Sequence, residues 1–256
     1  MTPPGKEREG WLASRAVQAA FLIALVTLWY LATTRWRVSP LLLPNPVAVL
    51  RDFWEILRTG EFLGDLTVTL TELAAAFAIA ASCGVVVGYL ISRSQYRIRV
   101  FEPLFAGIYS VPIILFLPLY VLFFGLGPTS KIALGATIGF FPIALNTIAG
   151  FGYVDKMLVV AARSMGATDV QLFRYVLLPA ALPIMLTGMR MGFTVALLSI
   201  IGSETIASLA GLGHRIVHLA EAMEMAPMFA YIAFVVAIAA ILNALVSALE
   251  VRGKRP

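Results

Sequence analysis

Charge is scarce in this chain of 256 residues. Only 13% of them are Asp, Glu, Lys or Arg, about half the share of a soluble globular domain. Cysteine is nearly absent as well. Cys83 stands alone in an apolar stretch beside Gly84, so neither a disulfide nor a thiolate metal site can be built within the chain. The sequence has no Gly-rich phosphate loop ending in Lys-Ser or Lys-Thr, no Gly-x-Ser-x-Gly and no His-Glu-x-x-His. Nucleotide hydrolysis, serine hydrolysis and zinc proteolysis therefore lack their carriers. No basic run interleaved with aromatics points to nucleic acid, and no paired repeats or buried mid-membrane acids point to an ion-driven secondary carrier.

What the chain has is apolar sequence: 60% hydrophobic residues and a mean hydropathy of +0.91. A helical crossing of the bilayer needs about 20 mostly apolar residues, because lipid offers no partner to unpaired backbone groups. Six segments qualify, at about 16–34, 66–91, 101–124, 131–151, 183–202 and 228–249. The first follows a basic start but is long and runs into Thr33, Thr34 and Arg35 without a cleavage pattern, so it reads as a span and not a signal peptide.

Basic residues set the orientation. With a cytoplasmic N-terminus, the inside segments hold Lys6, Arg8, Arg15, Arg93, Arg97, Arg99, Lys156, Arg163, Arg174, Arg252, Lys254 and Arg255. The outside segments hold only Arg35, Arg37, Arg51, Arg58, Lys131 and Arg215. Both termini are then cytoplasmic, with tails at 1–15 and 251–256 around a single membrane domain at 16–250. The net charge of +5 follows from this topology and anionic lipid.

Pro40, Pro44 and Pro46 force an extended entry to an outside amphipathic helix at 47–58, whose apolar set is Val47, Leu50, Phe53, Trp54 and Leu57. The third span starts afresh at Pro103, and Pro112 with Pro118 predict that it is kinked or broken.

Between the fourth and fifth spans the apolar pattern stops. In "VVAARSMGATDVQLFRYVLLPAALP", Val159 to Pro183, Asp155 can cap a helix over 156–164 and Gly166 can reverse the chain. Thr168 with Gln171 has the spacing of a capping box for a second helix running to about 176, with Pro179 and Pro183 ending it. On that helix Val170, Phe173 and Leu177 share a side, away from Asp169, Gln171 and Arg174. Two helices of about two turns are too short to stand alone and need a docked partner.

Polar residues in or beside the spans are candidates for a pathway or gate: Tyr109, Ser110, Asn146, Thr147, Thr194, Ser199, Ser203 and Glu204, with Pro112 at the kink. The same residue types serve equally as interhelical hydrogen-bonding groups. Arg190 and Glu72 lie within spans, where a lipid-facing charge is costly, and are expected to face the bundle or to reach an interface. His214, His218 and Glu221 share a helical face, but the pattern is weak for zinc and no metal site is assigned.

The loop resembles the cytoplasmic signature of permease subunits of binding-protein-dependent ATP-binding-cassette importers: Glu-Ala-Ala, three residues, Gly, nine residues, Ile-x-Leu-Pro. Ala161, Ala162, Gly166, Val176, Leu178 and Pro179 fall at those spacings, and Val160 replaces the leading Glu. The phrases "LLPNPVAVL", "LPLYVLFFGLGPTSKI", "FFPIALNTIAGF", "LPAALPIMLTGMRMGF" and "GLGHRI" are similar to the nitrate, sulfonate, taurine and bicarbonate branch. That branch usually has Arg where this chain has Glu72 and Gly where it has Ala76.

The resemblance implies an all-α membrane protein with the type I importer permease fold, six transmembrane helices and a cytoplasmic coupling helix-turn-helix at about 153–180. It implies a homodimer, two ATPase subunits that bind ATP and Mg, a periplasmic solute-binding protein, and no enzyme activity or cofactor in this chain. Ala161, Ala162, Arg163, Gly166, Asp169, Phe173, Arg174, Leu178 and Pro179 would form the coupling surface. Phe173 would anchor in the ATPase, and Arg190 would sit near the cytoplasmic mouth. The implied cargo is a small anion such as a sulfonate, taurine, nitrate or bicarbonate, moved across the inner membrane.

Overall fold

The computed structural model describes residues 4–36 and 38–253, which are helical almost throughout, with no strand among them. Arg37, Lys254 and Arg255 lie outside the described residues, as do the side chains of Lys6, Arg8, Arg15 and Arg252. The chain forms two compact units. One holds residues up to Glu61 together with Ile216–Phe234, and the other holds Phe62–Arg215 together with the residues from Val235 onward.

The first unit contains α1 (Pro4–Thr34) and α2 (Pro46–Thr59). Asn45 starts α2 by accepting the Val47 N–H at 2.9 Å, Pro46 supplies a preset φ, and Gly60 closes the helix in the left-handed region at φ 72°. The Trp29 indole donates to the Pro44 carbonyl at 3.0 Å, fixing the proline-rich entry against α1. The expected single apolar face of α2 is in fact two. Val49 and Ile56 are buried, and Phe53 packs on Phe234, while Val47, Leu50 and Trp54 stay exposed. An outer stripe of that kind suits a helix lying in the lipid interface.

The second unit runs α3 (Phe62–Ser92), α4 (Gln95–Tyr109), a 3-10 turn (Ile113–Phe116), α5 (Leu117–Phe124) and α6 (Pro128–Gly152). It continues through α7 (Lys156–Ser164), α8 (Asp169–Leu172), a π turn (Phe173–Leu177) and α9 (Leu178–Ile206). Next come α10 (Leu212–Glu221), which starts in this unit, and α11 (Met225–Gly253), which ends in it.

The core is the α3–α6–α9 packing. Lipid tails are as apolar as leucine, so helices associate in a bilayer by close fit and not by hydrophobic drive. Small residues provide that fit. A Cβ on Gly192 of α9 would lie 2.5 Å from the Ile143 side chain and 2.8 Å from the Gly139 carbonyl, both on α6. Ala76, Ala80, Ala181 and Ala196 are fully buried, and Phe77 meets Phe193 edge-on at 5.3 Å.

Among the described residues five helices are long and apolar enough to cross a membrane. The α4–α5 pair, bent by 72°, makes a sixth broken crossing, as Pro112 and Pro118 predict. Two proline expectations need correction. The third span does not start afresh at Pro103: α4 begins at Gln95 and runs through that proline, which forgoes one backbone bond. Nor do Pro179 and Pro183 end the second loop helix, since Asp169–Ile206 is one helical run of 38 residues. The Leu178 N–H bonds the Phe173 carbonyl five residues back, and this wider turn relieves the backbone just before the Pro179 ring.

Candidate functional site

The segment after α6 folds as a capped knuckle. Asp155 accepts the Met157 N–H at 2.8 Å to start α7. Gly166, at φ 81°, reverses the chain. Thr168 and Gln171 then form a reciprocal capping box, with Gln171 accepting the Thr168 N–H at 2.9 Å and Thr168 accepting the Gln171 N–H at 3.3 Å. Arg163 bridges to Asp169 at 2.8 Å, so the two residues tie the limbs together. Both are well exposed, and such a pair contributes little stability.

The faces of the second limb differ from a regular 3.6-residue repeat because the π turn shifts them. Leu172 is buried, and Phe173 is turned into its own bundle, stacking on Phe151 of α6 at 6.0 Å and meeting Tyr89 of α3 edge-on at 5.4 Å. Val170 points outward with Met157, Val160, Met165 and Tyr175. Ala162 is buried, while Ala161, Gly166, Arg174 and Pro179 are exposed and Leu178 is half-buried. A cleft of about 370 Å³ beside the knuckle is lined by Arg93, Arg163, Asp169, Tyr89, Phe151 and Phe173. At the same end Gln95 donates to the Gly152 carbonyl, and the Tyr153 hydroxyl donates to Glu102 at 2.9 Å. That hydrogen bond and the Glu102 charge hold the Tyr153 phenol above its ordinary pKa.

The polar candidates for a pathway separate by position. Thr147, Ser199, Ser203 and Glu204 are buried between helices. Thr194 is half-buried and bonds the Arg190 carbonyl. Tyr109 and Asn146 are half-buried, and Ser110 and Pro112 are exposed at the break in the third crossing. There an apolar cleft of about 480 Å³ opens among Ile108, Val111, Phe116, Tyr120 and Phe141. Arg190 meets Glu250 of α11 at 3.4 Å, and Thr187 donates to the same carboxylate at 2.9 Å. The charge in this span thus faces a partner inside the bundle. The sequence hint was an Arg within a span; its Glu250 partner, 60 residues on, left no local signal.

A second polar cluster, not legible as a group in the sequence, lies at the other end of α3. Lys131 pairs with Glu72 at 3.3 Å, both almost wholly buried, and donates to the Ser208 hydroxyl at 3.0 Å. Thr69 donates to Glu204 at 2.7 Å, and Glu204 accepts the Gly213 N–H at 2.8 Å. Asp65, Thr69 and Glu72 recur at helical spacing on α3, which was the available signal. Among the described residues no group of three or more His, Cys, Asp or Glu is placed to hold a metal.

A bundle of apolar helices with one broken crossing, a small-residue core and an exposed capped knuckle defines a multi-pass membrane protein. The solved chain of an amino acid ABC transporter with histidines superposes with a TM-score of 0.62 at 23% identity, covering 79% of this chain and 97% of that one. The fold is therefore that of a type I importer permease.

The family model of the binding-protein-dependent transport system inner membrane component matches residues 66–255, and the chain belongs to that family. The taurine transport system permease protein TauC of Escherichia coli (strain K12) is 33% identical, over 94% of this chain and 90% of its own. The putative aliphatic sulfonates transport permease protein SsuC of Bacillus subtilis (strain 168) is 30% identical, over 96% and 88%. This chain is the permease subunit of an ATP-binding-cassette importer, a multi-pass inner-membrane protein, and ATP hydrolysis belongs to a separate subunit.

Proposed function

We infer that this chain forms the translocation path for a small organic sulfonate, such as an alkanesulfonate or the zwitterion taurine, working as a homodimer with two ATPase subunits and a periplasmic binding protein. The substrates for which the two relatives are named support the cargo. ATP and Mg act on the ATPase, and the permease converts its closure into rocking of the spans. The membrane domain spans 16–250, with short tails before and after it.

The observation that carries the coupling role is the outward apolar face of the knuckle. Met157, Met165, Val170 and Tyr175 are between 68% and 81% exposed on a segment of two short helices. Such a surface at the tip of a loop needs a protein cover. Ala161, Gly166 and Pro179 keep it low enough for close approach, with Arg163, Asp169 and Arg174 as charged edges. Leu178 begins the span behind it, and buried Ala162 and half-buried Phe173 hold it to the bundle from within.

Arg93, Arg163 and Arg174 gather at this end, with Arg97 bonded to the Leu90 carbonyl nearby, which supports a cytoplasmic placement of knuckle and termini. Tyr109, Ser110 and Pro112 at the break, and Asn146 of α6 where it faces Gly188 and Met191 of α9, remain the pathway candidates, with Arg190 near the cytoplasmic mouth. Glu204 contributes by holding helices together through Thr69, Thr147 packs against Gly88 of α3, and Ser199 is buried within the bundle.

The test is reconstitution in proteoliposomes with the ATPase and binding protein, measuring uptake of taurine, alkanesulfonates, nitrate and bicarbonate. Uptake of a sulfonate that needs both ATP and the binding protein is expected. Uptake of only nitrate or bicarbonate overturns the cargo. Met165→Asp with Val170→Asp is expected to release the ATPase on purification, and full retention overturns the coupling surface.

A further inference from the structure

Three N–H groups at the start of α10 are capped by side chains from elsewhere in the chain. Helix starts leave their first N–H groups without partners, and a local Ser, Thr, Asp or Asn normally accepts one of them. Ala210 and Gly211 offer no such side chain. Instead the Gly211 N–H donates to Asp65 at 3.2 Å, the Leu212 N–H to the Thr69 hydroxyl at 3.0 Å, and the Gly213 N–H to Glu204 at 2.8 Å. Thr69 passes its own hydrogen to the other Glu204 oxygen at 2.7 Å. The acceptors come from α3 and from the C-terminal end of α9, and the carboxylate sits at the positive end of the α10 dipole.

The fit admits no slack. Gly211 is in the left-handed region at φ 108°, and a Cβ there would overlap the Glu204 carboxylate. A Cβ on Gly213 would lie 2.5 Å from the Ile201 carbonyl. Glu204 is 1% exposed. The preceding loop is also held, because the Ser208 hydroxyl accepts from Lys131 of α6 and donates to the Ala210 carbonyl at 2.6 Å. Only the tip residue Leu209, 75% exposed, stands clear.

We propose that Glu204 is a positioning residue that locks the segment from Ser208 to Gly213 onto α3 and α9, so that a load placed on this segment by the docked binding protein reaches two of the three core spans. A loop held only by its ends would absorb that load. The proposal rests on the reading that this end of the bundle faces the binding protein.

The experiment uses the reconstituted transporter with its ATPase, and follows ATP hydrolysis against the concentration of binding protein saturated with taurine. For Glu204→Gln, and separately for the near-isosteric Thr69→Val, the half-saturating concentration is expected to stay within about twofold while maximal stimulation falls about fivefold or more. A purely structural role would lower the amount of folded complex and leave the stimulation per complex unchanged, and that result overturns the proposal. A change confined to the half-saturating concentration also overturns it, because the segment would then be a contact surface and not a linkage. Should Glu204→Gln fail to fold, Thr69→Val alone decides. The orientation is checked apart from this, with Leu209→Cys in a Cys83→Ser chain and a membrane-impermeant maleimide. Labelling from the outer side is expected, and labelling only from the inner side overturns the orientation, and with it the named partner, whatever the hydrolysis curves show.

Discussion

Lys131 and Glu72 form an ion pair at 3.3 Å in which both side chains are 2% exposed or less. The lysine stands near the start of α6 and the glutamate about three turns into α3, so the pair staples two core helices at one end. Lys131, counted in the sequence among the outside basic residues, is therefore a buried paired charge at the start of α6.

Removing one partner leaves the other charge buried and uncompensated, a loss of about 3–5 kcal/mol, whereas replacing both by apolar residues can be neutral. Lys131→Met and Glu72→Leu alone are expected to lower the melting temperature in detergent strongly. The double variant should recover most of that loss. Additive losses in the double variant would show that the pair does not act as a unit.

The π turn at Phe173–Leu177 sets the rotation of the knuckle relative to α9. Deleting Val176 would restore a regular helix and turn α8 by about 100° per residue removed. Phe173 would then leave Phe151 and Tyr89. Uptake per ATP hydrolysed is expected to collapse while the protein still inserts; preserved uptake would mean that the joint tolerates either rotation.

Gly166 has open space where a side chain would stand, but its φ is 81°. The obstacle is backbone conformation alone. Gly166→Val is expected to cost about 1–2 kcal/mol locally and to loosen the knuckle, with Gly166→Asn much milder. Limited proteolysis of the loop and ATPase retention on purification check the order.

At Gly192 the obstacle is space. Leu in that place would drive α9 away from α6, at a cost of at least about 1–3 kcal/mol for overpacking. Gly202, which has nothing within 4 Å of a Cβ, should accept Ala with little change in melting temperature.

Much of the architecture was legible in the sequence because its signals are local. The presence of apolar spans, the break at Pro112, the Asp155 cap, the reversal at Gly166 and the Thr168–Gln171 box each depend on a few neighbouring residues, and each is found, although the third span starts earlier and the fifth is continuous with the loop helix before it. Reading Pro179 as a stop failed because a π turn can absorb a proline at the cost of one widened turn, and nothing in composition announces that. The resemblance makes Phe173 an anchor in the ATPase, but the widened turn directs it onto Phe151 and Tyr89 of its own bundle.

The sequence by itself determined that this chain lives in a bilayer and crosses it as helices, since backbone groups in lipid must be satisfied within each segment, and that its apolar runs are interrupted by one short capped helix-turn-helix. Only the tertiary structure decided the partners of Glu72, Glu204 and Arg190. Those partners, Lys131, Thr69 with Gly213, and Glu250, lie on other helices or across a loop, and a buried charge finds its counterpart through packing that no local pattern encodes.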